Sequence, residues 1–166
     1  MLADGRRQIT GFLFAGDFFG LACNSGYSYS VEAVTDVDLC RIPRTKIIQK
    51  FHEMPTLGQK VFELTRTELQ SAQEQMLLLG RKTAKEKLCS FLLAMHQKPK
   101  LIEGMLDNQV YLPMSRSDIA DYLGLTIETV SRQFTLLSKD GVIELDGNSI
   151  ATILSQERLC SIAACE

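Results

Sequence analysis

Residues 115–153 read S-R-S-D-I-A-D-Y-L-G-L-T-I-E-T-V-S-R-Q-F-T-L-L-S-K-D-G-V-I-E-L-D-G-N-S-I-A-T-I, and this stretch leaves the backbone little choice. Ser115 or Ser117 can cap a helix beginning near Asp118, because a hydroxyl accepts from an otherwise unpaired helix N–H. Ile119, Ala120 and Leu123 would face inward. Gly124 ends the helix, where a left-handed backbone suits glycine. Leu125 tucks into the turn, and Thr126 caps a second helix over 127–138. Val130, Phe134 and Leu137, at i, i+4 and i+7, form its core stripe. Lys139, Asp140 and Gly141 close it. Two short apolar runs, 142–145 and 150–153, flank D-G-N at 146–148 and predict a hairpin. The pattern is a helix-turn-helix followed by a two-stranded wing.

The outward residues of the second helix carry the chemistry. Glu128, Ser131, Arg132 and Thr135 share the face opposite the core stripe, and the first three lie in its first two turns, the part that enters a major groove. Arginine can fork onto guanine O6 and N7, a carboxylate can accept from the cytosine amino group, and serine can touch thymine or a phosphate. Thr126 and Thr129 at this helix start, and Ser115 and Arg116 at the start of the preceding one, are the expected phosphate contacts. A solvated face with a plain Glu128–Arg132 i,i+4 pair is the competing reading. The preceding helix, the glycine turn and the wing weigh toward DNA.

The rest of the chain must serve that head. It has 166 residues, 45% hydrophobic and 23% charged, enough for one or two compact domains. The net charge of −2 argues against nucleic acid only weakly, since a small reading head can be basic inside an acidic protein. No apolar run is long enough to span a membrane and no signal peptide is visible, so a cytoplasmic location without membrane partners is expected. Five cysteines, without a CxxC pair, are then expected to be thiols. No phosphate loop, nucleophile elbow or metal triad appears, and His52 and His96 lack metal-ligand spacing, so the chain is not expected to be an enzyme.

The expected fold class is α+β, in three parts. Residues 1–54 carry strand-like runs at 8–14, 27–34 and 37–42, rich in β-branched and aromatic residues and separated by turn signals. They read as the C-terminal half of a β-barrel. After Pro43 come a short helix over 44–51 and a long one over 55–79. Phe62, Thr65, Leu69, Ala72, Met76 and Leu79 repeat at spacings of 3 and 4, a short heptad seam that predicts a dimerisation helix over 55–80. A second stripe of Leu57, Val61, Leu64 and Leu78 runs beside it, and an ordinary core helix is the alternative. A cationic cluster (Arg81, Lys82, Lys85, Lys87) follows Gly80, and a helix over 83–97 has Leu88, Phe91, Leu92 and Met95 on its buried face. Residues 110–112 form a short strand, and 81–166 form the winged helix-turn-helix domain.

At this point the sequence resembles the CRP/FNR family of bacterial transcription regulators along nearly its whole length. I-T-G-F-L-F-A-G-D-F-F-G at 9–20, L-C-R-I-P at 39–43 and Q-M-L-L-L-G-R-K-T-A-K-E-K-L at 75–88 fit the family. L-G-L-T-I-E-T-V-S-R, with Glu128, Ser131 and Arg132, resembles the FNR and FixK branch, whose E-x-x-S-R signature reads TTGAT half-sites. The cyclic-AMP branch carries an arginine before the glutamate and a glycine for the serine, where this chain has Ile127 and Ser131. Its nucleotide pattern also needs a glutamate and an Arg-Ser pair where Leu21 and Tyr27-Ser28 stand, so no cyclic AMP is expected.

The resemblance implies that residues 1–54 are part of a cupin-like sensor lobe, and it implies a homodimer on TTGAT-N4-ATCAA palindromes, RNA polymerase as a partner, and control of oxygen- or redox-responsive, anaerobic or nitrogen-related genes. Cys40 stands in the L-C-x-I-P context where FNR-type oxygen sensors place one ligand of a 4Fe-4S cluster. Such a cluster needs about four thiolates, the other three come from an N-terminal cysteine-rich stretch absent here, and none is expected in this chain. The alternative for Cys40 is a buried strand cysteine. Cys23 lies in a turn, Cys89 in helix core, and Cys160 and Cys165 in the last helix. A second functional reading is a truncated partner that pairs with a full-length relative through the seam and modulates it.

Overall fold

A computed structural model describes residues 5, 7–20, 26, 29–99, 102, 104–147 and 149–164. The chain divides into two units: Met1–Asp17 with Met76–Glu166, and Phe18–Gln75. The helices are α1 (Arg44–Glu53), α2 (Pro55–Arg81), α3 (Ala84–His96), α4 (Arg116–Leu123), α5 (Ile127–Lys139) and α6 (Gln156–Ala163); the strands are β1 (Gln109–Tyr111), β2 (Ile143–Asp146) and β3 (Ile150–Ile153). No helix among the described residues is long and apolar enough to cross a membrane.

The first unit holds the core. Leu88, Phe91, Leu92 and Met95 of α3 are buried together with Ile119, Ala120 and Leu123 of α4 and Val130, Phe134 and Leu137 of α5. Each fully buried Leu or Phe contributes about 1.5–3 kcal/mol, so these period-matched stripes dominate the domain's stability. The stripes read from the sequence are the ones the fold buries. Leu159 and Ala163 of α6 close the cluster.

The wing is a three-stranded antiparallel sheet in the order β1-β3-β2. The hairpin registers Ile143 with Ile153 and Asp146 with Ile150, and Gly147 takes φ 62° in its turn. β1 pairs with the far side of β3, Gln109 facing Thr152. The short strand expected before the helix-turn-helix is therefore a third strand of the wing, and β3 is its centre.

The N-terminal residues correct one expectation. The described residues over 1–54 form no strand and close no barrel; α1 begins at Arg44, directly after Pro43. The reason is pairing. A strand exists only when a neighbour takes its N–H and C=O groups, and the described residues of the three runs show no such pairing. Val31, Val34, Val37, Leu39 and Ile42 are all exposed along this stretch. Cys40 is likewise exposed, outside any strand, rather than a buried strand residue. The strand expected at 27–34 and Cys23 lie partly or wholly outside the described residues.

On α2 the predicted seam is open. Phe62 is 72%, Leu69 61% and Met76 71% exposed. Thr65 and Ala72 are exposed beside them, Thr65 bonding its hydroxyl back to the Val61 carbonyl at 2.9 Å. Leu79, expected in the same seam, instead packs against the core of the first unit, next to buried Leu78.

Candidate nucleic-acid interface

The helix-turn-helix is α4, the turn at Gly124–Thr126, and α5. Ser115 caps α4: its hydroxyl accepts from the Asp118 N–H, and the Asp118 carboxylate accepts from the Ser115 N–H at 2.9 Å, a reciprocal capping box. Because Ser115 takes the cap, α4 starts at Arg116, two residues before the expected Asp118. Gly124 ends the helix at φ 61°, ψ 44°. Its φ is left-handed, and a Cβ there would meet Leu79 Cδ2 at 3.1 Å, so both backbone and space favour glycine.

A helix leaves its last four carbonyls without intrahelical partners, and in α4 each of the four is supplied. The Ala120 carbonyl accepts from the N–H groups of Gly124 and Leu125. The Asp121 carbonyl accepts from the Ile9 N–H at 3.3 Å and from Gln8 Nε2 at 2.6 Å. Gln8 Nε2 also reaches the Tyr122 carbonyl at 3.2 Å. The Leu123 carbonyl takes buried Lys87 Nζ at 3.0 Å, and burial lowers that ammonium's pKa. The turn that aims α5 is thus held from two other parts of the chain.

α5 carries the residues expected to meet bases. Thr126 caps it, accepting from the Thr129 N–H at 3.2 Å, and the two threonine hydroxyls lie 3.1 Å apart. Val130, Phe134 and Leu137 are buried, while Glu128, Ser131, Arg132 and Thr135 are exposed on the other side. Glu128 is held below the usual carboxylate range by its own N–H and by the Thr126 hydroxyl. It is therefore an ionised, acceptor-only group at neutral pH. Its bonds come from the helix start rather than from Arg132, so the plain Glu128–Arg132 pair does not form. Ionised carboxylate, hydroxyl and guanidinium are presented together.

Four further residues were expected to meet phosphates. Thr126, Thr129 and Ser115 sit at helix starts, Thr129 partly covered. Arg116 is turned inward: its guanidinium carbon lies 3.5 Å from the Phe134 ring centroid, and Nη1 is buried with no partner among the described residues. Desolvation lowers its pKa.

The cationic cluster before α3 is built into the domain. Lys82 Nζ donates to Ser90 Oγ at 2.8 Å and to the Ala163 carbonyl at 2.7 Å. Lys85 Nζ meets the Asp140 carboxylate at 2.8 Å, at the end of α5, and Arg158 Nη1 donates to the Asp140 carbonyl at 2.9 Å. Most of these contacts join residues far apart in the chain, so no local pattern marks them, and none marks Lys87 as buried.

The described residues do not fit an iron–sulfur cluster. They contain no group of three or more His, Cys, Asp or Glu that could hold a metal, and Cys40 is exposed among them. Leu21, Tyr27 and Ser28, on which the cyclic-AMP reading turns, lie outside the described residues.

Comparison with known proteins bears on the whole chain. Residues 86–162 match the Crp-like helix-turn-helix domain, and residues 1–53 match the Cyclic nucleotide-binding domain. The chain is 42% identical over 164 residues to the nitrogen fixation regulation protein FixK of Bradyrhizobium diazoefficiens, covering 99% of this chain and 68% of that protein. It is 42% identical over 161 residues to the transcriptional activator protein FnrL of Cereibacter sphaeroides, covering 95% of this chain and 65% of that one. It thus spans about two thirds of the length of these relatives. The solved structure of FixK2 from Bradyrhizobium japonicum superposes with a TM-score of 0.82 at 34% identity, over 100% of this chain and 81% of that chain. The chain belongs to the CRP/FNR family, in its FixK/Fnr branch, and is a DNA-binding transcription regulator rather than an enzyme.

Proposed function

We propose that this chain reads TTGAT-N4-ATCAA palindromes as a homodimer and controls oxygen- or redox-responsive, anaerobic or nitrogen-related genes together with RNA polymerase. The observation that carries the reading is the exposed trio of Glu128, Ser131 and Arg132 on the first two turns of α5, opposite its core stripe. The trio matches the E-x-x-S-R signature residue by residue. Thr126, Thr129 and Ser115 take phosphates, and Arg116 does so only by leaving the Phe134 ring. Two-fold symmetry then sets two copies of α5 in successive major grooves, about one helical turn apart. The open seam of Phe62, Leu69 and Met76 is the dimer surface.

Fluorescence anisotropy on the palindrome and on a scrambled duplex, at two salt concentrations, tests this. Affinity should fall with salt on both, while a large gap between the duplexes persists. Equal affinity for the two sinks the palindrome reading. The same open seam favours a second reading, pairing with a longer relative. Sizing by analytical ultracentrifugation separates them: a monomer that binds the palindrome only after a relative is added supports the second.

A further inference from the structure

Residues 7–14 lie along α4 in a contact that DNA reading does not require. Arg7 carries it. Its Nε donates to Asp121 Oδ2 at 2.8 Å, and its Nη2 pairs with Asp118 Oδ1. The three side chains are part-covered, 33%, 28% and 20% exposed for Arg7, Asp121 and Asp118. Gln8 and Ile9 cap the Asp121 and Tyr122 carbonyls, as above. Phe12 then packs its ring 5.3 Å from Tyr122 and 6.1 Å from Phe91, centroid to centroid. Ion pairs, carbonyl caps and an aromatic cluster follow one another within six residues of chain, so the segment is seated rather than grazing.

The consequence is electrostatic. In a helix-turn-helix the first helix crosses the phosphate backbone while the second enters the groove. Asp118 and Asp121 put two carboxylates on that first helix. Left bare, they oppose a polyanion; bridged by one guanidinium, they largely do not. We propose that segment 7–14 is a clasp that tunes DNA affinity. Seated, Arg7 masks the two carboxylates and the domain binds DNA; drawn off, it unmasks them and binding weakens. A signal that moves residues 7–14 therefore reaches the reading head without altering Glu128, Ser131 or Arg132. This rests on the proposed DNA reading.

The test is Arg7→Ala in the full chain, titrated by anisotropy onto the palindrome and onto the scrambled duplex. Affinity for both should fall about threefold to tenfold at ~50 mM salt, the difference fading by ~500 mM as the charges are screened. Arg7→Lys should keep most of the affinity. Asp118→Asn with Asp121→Asn should restore it to the Arg7→Ala chain. Thermal unfolding of each variant reports stability separately: a loss that tracks the unfolding midpoint and ignores salt overturns the clasp as an electrostatic device. Unchanged or tighter binding by Arg7→Ala overturns it outright, as does a wild-type chain that binds no duplex. A wild type that binds both duplexes equally, yet loses affinity on both with Arg7→Ala, sinks the palindrome and upholds the clasp.

Discussion

Arg132 is exposed one turn beyond Glu128, so its guanidinium has no strong internal partner to surrender before meeting a base. Arg132→Ala should therefore lose about 1–3 kcal/mol of discrimination, read by competition anisotropy between the palindrome and duplexes altered at its guanine. Equal discrimination by mutant and wild type would remove Arg132 from base reading. The carboxylates in structural roles make a different prediction. Glu86 is held low by the Thr83 N–H and hydroxyl, and Asp140 by Lys85. At Asp118 burial pushes upward, but Ser115 and Arg7 outweigh it and the pKa ends below the ordinary value. A depressed folded pKa adds stability that is present above the unfolded value, about 4 for carboxylates, and is lost as pH falls through the lower folded value. The unfolding midpoint should stay flat from neutrality to about pH 5 and drop in acid. Asp118→Asn should make that acid slope shallower; an unchanged slope would show that Asp118 is not linked to folding.

At the scale of the element, the turn between α4 and α5 is the sensitive joint. Gly124→Ala forces a side chain into a left-handed backbone, costing about 1–2 kcal/mol, and brings its Cβ against Leu79. Urea unfolding should show that loss, with weaker palindrome binding alongside. This element was legible in the sequence because its determinants are local. Ser115, Gly124 and Thr126 act within three or four residues of themselves, and Val130, Phe134 and Leu137 mark one helical face. What defeated the sequence was long-range. The runs over 1–54 have strand composition, but strandedness depends on partners that composition does not provide. Lys87 reads as one cation in a cluster, yet the carbonyl that buries it belongs to Leu123. Leu79 keeps the seam's rhythm, but the core of the first unit claims it. Arg7 carries no motif at all; only the fold brings it to Asp118 and Asp121.

For the whole molecule, the question is what covers α2. A row of exposed Phe62, Leu69 and Met76 is more apolar surface than one helix face leaves to water without a partner. Leu69→Asp should shift the sedimenting species toward the monomer. It should also weaken palindrome binding far more than half-site binding, since only the palindrome rewards two linked heads. A variant that stays dimeric would place the interface elsewhere. Net charge supplies no shortcut here. The chain is acidic overall at −2, and three of the lysines beside its reading domain are already occupied inside it, so affinity must come from a few placed groups.

The pairing of β1 with β3 carries a last consequence. Gln109–Tyr111 and Ile150–Ile153 flank α4 and α5 in the chain and zip together beyond them. The Asn108 carbonyl accepts from the Ile153 N–H at 2.8 Å, and the Ser149 carbonyl from the Leu112 N–H at 2.7 Å. Topologically, the two helices of the helix-turn-helix are a closed loop fastened at its neck. Such a loop has no free end from which to fray, so its amides should exchange with solvent together, as one cooperative opening. A ribosome releasing this chain cannot fasten that neck until β3 emerges.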